Sequence, residues 1–384
     1  MTEVLTAIGL MSGTSLDAVD VAVVRTDGQS VVEPGPALSF PYKPSARAEI
    51  RRAIKAALEG RLGAVEIGRA AAEVTEAHIG AVRRLMAAEG LSFRDIDVIG
   101  FHGQTILHRP SGVRGQPGRT LQIGSGARLA EAIGARVVED FRSADVEAGG
   151  EGAPLAPVYH AALAARLEPR VPRAVLNLGG VANVTFLTAS CAPEAMLAFD
   201  CGPGNGLIDQ WAELKTGAPM DRDGELARQG VVDEAALKQL LTHSYFAAPP
   251  PKSLDRYDFS FDAVHKLSTV DGAATLTAFT AQAAALAARH AAEPPQEWIA
   301  CGGGRRNPAL MDALNARLGG TVRTAEDVGW RGDDLEAEAF AYMAVRSLNG
   351  LAISFPGTTG VAAPMCGGAV CDPQAVLRRQ TGAQ

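Results

Sequence analysis

The chain has 384 residues, 47% of them hydrophobic and 21% charged, with a formal net charge of −7. At roughly 100–200 residues per domain, that length fits two domains, each able to bury a full core. The acidic balance argues against a nucleic-acid partner, which would want a basic face, and no apolar run reaches the ~18–20 residues that cross a bilayer.

Met1 to Leu10 has neither a basic region nor a long apolar segment, so no secretory signal is expected. The five cysteines, Cys191, Cys201, Cys301, Cys366 and Cys371, make no CxxC pair and no Cys/His cluster. They read as free thiols in a cytoplasmic chain, without a disulfide framework or a metal centre.

In chain order, 4–11, 18–25 and 30–40 read as strands. Residues 46–59 and 64–89 read as helices, the second with Ile67, Ala71, Val74, His78 and Val82 near helical spacing. A short buried strand begins at 97–100 and continues to Phe101. Residues 128–133 are helical and 135–138 again a strand. The pattern then restarts with strands at 174–178, 183–187 and 196–200. Helices are expected at about 205–215, 233–242 and 272–292, with AAPPPKS (247–253) as a surface loop. A strand at 298–301, a helix at 308–318, a strand at 321–324 and a helix at 335–349 complete the series. Three strands, helices, a strand, a helix and a strand thus occur twice. Two tandem α/β domains are expected, 1–150 with 350–384 and 151–349, with a ligand cleft between them.

Several stretches carry candidate chemistry. In GLMSGTSLDAVD, Gly13 would let the backbone turn and expose N–H groups, and Thr14 and Ser15 add hydroxyls. Such a concavity suits phosphate oxygens. It is not a Walker A loop, because GxxxxGK[ST] and its lysine are absent. Asp17 and Asp20 could then hold Mg²⁺ or its waters. An ordinary polar hairpin turn is the competing reading. In FDCGPGNGLIDQW, Asp200 ends a strand before a glycine turn and a helix start, where a carboxylate could act as a base beside bound phosphate; a helix-capping aspartate is the alternative. In WIACGGGRRNP, Gly302, Gly303 and Gly304 would permit close approach of a flat ligand such as adenosine, or simply form a tight β–α turn. Arg142, in VVEDFRSAD, offers a planar fork for a carboxylate or phosphate. His102 and His108, in FHGQTILHRP, could bind ligand oxygens, although an i, i+6 spacing in a loop is no metal pattern. Glu336 opens an apolar helix, where the helix dipole by itself favours a carboxylate.

Taken together, these stretches resemble the anhydro-N-acetylmuramic acid kinase family nearly end to end. The resemblance rests on GLMSGTSLDAVD, FHGQTILH, LQIGSGARLAEAIG, VVEDFRSADVEAGGEGAPLAP, VLNLGGVANV, FDCGPGNGLIDQW, PPKSLDRYDF and CGGGRRN. It implies two RNase-H-like domains of the actin-like ATPase kind around an ATP cleft. The implied reaction takes 1,6-anhydro-N-acetylmuramic acid, ATP and water to N-acetylmuramic acid 6-phosphate and ADP, within peptidoglycan recycling. Mg²⁺ would be carried on the nucleotide, and the enzyme would be a homodimer. Asp200 matches the family's catalytic aspartate, Gly13 to Asp20 its phosphate loop, Gly179 and Gly180 the matching turn of the second domain, and Gly302 to Gly304 its nucleotide turn. Glu336 matches a glutamate near the sugar, and Arg142 would pair with the lactyl carboxylate. One departure is Ala18, where the family usually has glycine; a strand-opening Ala18 would change little.

Three other readings stay open on the residues alone. A sugar kinase of the same fold would phosphorylate a free hydroxyl of an amino sugar, with Asp200 removing its proton. A glycosidase would use Asp200 and Glu336 as a carboxylate pair without ATP. The last is a nucleotide-gated binding or regulatory protein; a sugar-responsive repressor would want a basic helix-turn-helix, and the acidic chain opens on an expected strand.

Overall fold

The computed structural model describes residues 2–109, 118–254 and 258–373. Pro110, residues 255–257 of the PPKSLDRYDF stretch, and 374–384 of the expected first domain lie outside the described residues. The chain opens with β1 (Leu5–Ser12), β2 (Ala18–Thr26) and β3 (Val32–Pro41). Helices α1 (Pro44–Leu58) and α2 (Val65–Glu89) follow. Next come β4 (Val98–Arg109), β5 (Arg119–Ile123), α3 (Gly126–Ile133), β6 (Arg136–Glu139), α4 (Ser143–Glu147) and α5 (Pro157–Ala164). The second series begins with β7 (Arg173–Leu178), β8 (Val181–Leu187) and β9 (Leu197–Pro203). It continues through α6 (Gly206–Thr216), α7 (Glu225–Gln229), α8 (Glu234–Leu240) and α9 (Thr269–Ala287) to β10 (Glu297–Cys301), α10 (Pro308–Arg317) and β11 (Thr321–Thr324). Then α11 (Leu335–Leu348), α12 (Pro356–Thr359) and β12 (Ala369–Cys371) complete the described chain.

The two sheets repeat one topology. The first runs β3-β2-β1-β4-β6, with β12 beyond β6 and β5 paired to β4; the second runs β9-β8-β7-β10-β11. In each, the first three strands are antiparallel and the next two join in parallel: Ile8 faces Val23 on one side and Ile99 on the other, as Val175 faces Thr185 and Ile299. The helices between the parallel strands supply the crossovers that parallel pairing requires. This is the strand order expected of RNase-H-like domains, present twice.

The chain forms two compact units, Met1–Leu163 with Asp334–Gln384, and Ala164–Asp333. The expected division put 335–349 in the second domain. In the structure α11 belongs to the first unit, and two glycines are the physical reason. A Cβ on Gly9 of β1 would lie 1.8 Å from the Ala337 carbonyl oxygen, and one on Gly100 of β4 would lie 2.0 Å from that of Phe340. Both strands are therefore bare where α11 rests on their backbones. The opposite face of that sheet carries Ile8, Leu10, Val19 and Val21, which pack with Ile50, Val74, Val82 and Leu129 of α1, α2 and α3. That division follows from the two-residue period of a strand. In the second unit, Leu176, Val184, Phe199 and Trp298 pack against Ala281 and Ala284 of α9 and Leu310 of α10.

Two strands run longer than the sequence pattern indicates. Strand β4 continues past Phe101 to Arg109, so His102 and His108 lie in a strand and not in a loop. Gly103, at φ +70°, sits near a register irregularity that breaks the alternation expected of a continuing strand. Strand β9 passes through Asp200 and ends at Pro203, with a register shift where Asn183 faces Asp200 and Ala182 faces Gly202. Asp200 is thus inside a bulged strand, not at its end.

Candidate active site

In the first unit the β1–β2 connection is residues 13–17, closed by a hydrogen bond from the Leu16 N–H to the Gly13 carbonyl (3.2 Å). Its left-handed residue is Leu16, at φ +59°, whose side chain is buried. The expectation that Gly13 supplies the unusual backbone is corrected: Gly13 has no positive φ, and a Cβ there would meet only the Ser15 hydroxyl, at 3.6 Å. Thr14 and Ser15 are exposed, as donors for a ligand must be. Asp17 holds the turn itself, its Oδ1 accepting from the Ser15 hydroxyl (2.6 Å) and the Ala18 N–H (2.9 Å). Ala18 opens β2 and is not among the positive-φ residues, so its methyl group meets no backbone penalty.

The turn stands on buried polar groups. Gln104 accepts from the Ser12 hydroxyl (2.5 Å) and donates to the Gly13 carbonyl (3.2 Å). Tyr42 shares a hydrogen bond with Ser12 (2.9 Å), and its N–H donates to the Asp17 carbonyl (2.9 Å). Each interior group is satisfied, which leaves the exposed donors of the turn fixed in place.

Arg142, just before α4, donates through Nη1 to the Gly152 carbonyl (2.6 Å) and through Nε and Nη2 to His102 Nε2 (3.2 and 3.0 Å). Asp145 secures the Gly152 end, accepting from the Gly152 N–H (2.7 Å) and the Thr359 hydroxyl (2.6 Å). His102 Nδ1 faces the Gly103 carbonyl at 2.9 Å, so that nitrogen carries the proton and Nε2 offers its lone pair to the guanidinium. Burial, then the charge of Arg142, hold the imidazole well below its usual pKa and keep it neutral. His102 is buried with both ring nitrogens engaged by protein. In the structure its partners are Arg142 and the Gly103 carbonyl. Burial lowers Arg142 to about 10, against the pull of Glu336 and Asp145, and leaves it cationic near neutrality. Glu336, the second residue of α11, is pushed upward by surrounding protein, opposed by Arg142 and reinforced by Asp20. Its side chain nevertheless reaches solvent, which screens these effects, so the direction alone is meaningful. Arg142 and Asp20 therefore both act on Glu336 within the first unit.

In the second unit three glycine turns adjoin. The Gly204 N–H donates to the Gly180 carbonyl (3.1 Å) and the Asn205 N–H to the Gly179 carbonyl (2.7 Å). Gly302, at φ +73°, and Gly304 press on the end of β7: added Cβ atoms would come 2.2 Å from Asn177 Oδ1 and 2.8 Å from Leu178 Cβ. These two serve packing, whereas Gly180 and Gly303 are exposed, with open space where a Cβ would be. Buried Arg305 secures the turn, donating to the Gly302 carbonyl (2.9 Å), Glu326 (2.7 Å) and Asp333 (2.8 Å).

Asp200 lies on β9, the edge strand. Its Oδ2 accepts from the Leu254 N–H (2.8 Å), and among the described residues no donor reaches Oδ1. The support comes from the proline-rich segment, not from a helix N-terminus as expected. Burial raises the carboxyl to about 6, the Leu254 hydrogen bond opposing the shift. Asp200 keeps part of its surface to solvent, so the carboxyl is both perturbed and reachable, the combination a general base requires.

A family model described as anhydro-N-acetylmuramic acid kinase matches residues 5–373. The chain belongs to the anhydro-N-acetylmuramic acid kinase family. It is 53% identical to the anhydro-N-acetylmuramic acid kinase of Rhizorhabdus wittichii, over 97% of this chain and 100% of that one. It is 50% identical to the kinase of that name from Phenylobacterium zucineum, over 96% and 99%, and 49% identical to that of Caulobacter vibrioides, over 94% and 98%. Full-length similarity to kinases makes this chain an ATP-dependent enzyme. Sequence reasoning named the family's groups but passed over Gln104, Tyr42, Arg305, Tyr245 and Lys252, whose roles are set by long-range contacts. Gln104, Lys252 and Arg305 do stand inside the motifs FHGQTILH, PPKSLDRYDF and CGGGRRN, and that is the available signal.

Proposed function

We propose that the enzyme opens 1,6-anhydro-N-acetylmuramic acid hydrolytically and phosphorylates O6, giving N-acetylmuramic acid 6-phosphate and ADP for peptidoglycan recycling. One observation carries the reading: the Asp200 carboxyl, raised to about 6, has one oxygen held and the other without a donor among the described residues. Oδ1 takes a proton from water, and the water oxygen bonds to C1 as the C1–O6 bond breaks. O6 bonds to the γ-phosphorus as ADP leaves. Water entering opposite O6 inverts the anomeric centre, as in inverting glycosidases.

Thr14, Ser15 and the exposed N–H groups of the β1–β2 turn receive phosphate oxygens, and Gly179, Gly180 and Gly303 leave room for the nucleotide. Arg142 pairs with the sugar's carboxylate, and Glu336 accepts from its hydroxyl or amide groups. Mg²⁺ fits the donor set near the turn. Asp17 Oδ1 is engaged within the turn, while Asp20 and Glu336 are like charges close enough to perturb one another. Asp20 would hold the ion through its water shell, and the ion would neutralise phosphate charge. The same reading makes the enzyme a cytoplasmic homodimer. Among the described residues no helix is long and apolar enough to cross a membrane.

The test is incubation with ATP and the anhydro sugar, with the product followed by NMR. An inverted anomer of the 6-phosphate is expected. Ring opening without ATP, or phosphorylation of N-acetylglucosamine in preference to the anhydro sugar, would overturn the reading.

A further inference from the structure

An edge strand with a bulge is a poor seat for a base. Its outward main-chain groups lack a neighbouring strand, and the bulge loosens the ladder on the inner side. Asp200 stands at such a point. The segment Tyr245 to Leu254 takes the place of the missing neighbour and grips Asp200 three times. The Asp200 N–H donates to the Lys252 carbonyl (3.2 Å), the Tyr245 hydroxyl donates to the Asp200 carbonyl (2.5 Å), and the Leu254 N–H donates to Oδ2 (2.8 Å).

Lys252 closes this segment on itself. Its ammonium donates to the carbonyls of Tyr245 (3.0 Å) and Ala248 (2.9 Å) and lies 4.5 Å from the Tyr245 ring centre and 5.5 Å from that of Phe199. The cation is thus committed to carbonyls and aromatic faces. Had it paired with the carboxylate, it would have favoured the ionised form and weakened the base. Tyr245 is a hydroxyl donor at any working pH, because burial, then the charge of Asp200, push its phenol upward.

We infer that Tyr245 and Lys252 are positioning residues for the catalytic carboxylate: Tyr245 fixes the Asp200 main chain, and Lys252 braces the segment that holds it without itself pairing with the carboxylate. The inference rests on Asp200 being the base.

Tyr245→Phe removes one hydroxyl and keeps the ring beside Phe246 and under Lys252, so it folds. Its kcat is expected to fall ~10-fold, since displacement of a reacting group by about an ångström has effects of that order or larger. KM for ATP and for the anhydro sugar should stay within about twofold of wild type. Lys252→Met should lower kcat further, with Lys252→Arg recovering part of the loss. Asp200→Asn, measured alongside, separates the two levels of argument. Wild-type kcat in Tyr245→Phe beside an inactive Asp200→Asn would overturn this inference alone, as would a loss confined to KM. An active Asp200→Asn would overturn the reading beneath it.

Discussion

The two units place a hairpin turn at the same topological point and build it from opposite materials. Between β1 and β2 lie five residues with exposed hydroxyls, held from below by buried Gln104 and Tyr42. Between β7 and β8 lie only Gly179 and Gly180, held by direct main-chain hydrogen bonds to the turn at 204–205. The first turn offers donors; the second offers bare backbone. The acid of the second unit comes instead from the next strand, at a bulge. On the function proposed above, one fold used twice is divided between holding charge and moving a proton. The fold fixes where a turn will lie, and the residues in it decide its chemistry.

The largest effect should follow from removing the proton acceptor. Asp200→Asn keeps the shape and loses basicity, so turnover should fall by about 10²–10⁴-fold, while nucleotide binding, read by calorimetry, survives. Near-normal turnover would mean that the bulge on β9 has no catalytic purpose. In the wild type, the carboxyl accepts a proton only when ionised. With the group raised to about 6 by burial, kcat should decline roughly tenfold per pH unit below about 6. The neighbouring titratable groups do not mimic this limb. Burial pushes the Tyr245 phenol and the Cys201 thiol upward, and the Lys252 ammonium, lowered by burial, donates to carbonyls. A flat acid profile down to pH 4 would place the base elsewhere.

The doubled architecture was legible in the sequence because strand periodicity is local. Val19, Val21 and Val23 alternate along β2, and Ile67, Val74 and Val82 recur along α2. What failed was where local rules are interrupted. Gly103 breaks the alternation of β4, so periodicity ends the strand at Phe101, eight residues before Arg109, and puts His102 in a loop. The grip of residues 245–254 on Asp200 spans 45 to 54 positions and has no periodic signature. Assignment of α11 to the first unit depends on Gly9 and Gly100, which read as featureless small residues until a helix backbone is seen above them.

A smaller effect separates the glycines of the second unit. Gly302→Ala forces a side chain into a left-handed conformation and against Asn177 and Leu178. About 1–3 kcal/mol of stability should be lost, visible as a lower Tm. Gly303→Ala meets nothing within 4 Å, so Tm should not move, yet KM for ATP should rise if the nucleotide rests there. Equal Tm losses in both variants would erase the distinction between packing and binding glycines.

The smallest effect should come from beneath the first turn. Gln104→Leu leaves the Gly13 carbonyl without its side-chain donor, while Ser12 keeps Tyr42 as a partner. The turn retains its own closures at Leu16 and Asp17, so it should loosen and not collapse. A half-buried carbonyl that loses one of two hydrogen bonds costs roughly 0.5–1.5 kcal/mol, and only part of that falls on the exposed donors. KM for ATP should therefore rise about three- to tenfold with kcat nearly unchanged, because Gln104 supports the turn proposed to receive phosphate and not the proposed proton acceptor. A loss confined to kcat would mean that the two hairpins do not divide their tasks as their construction indicates.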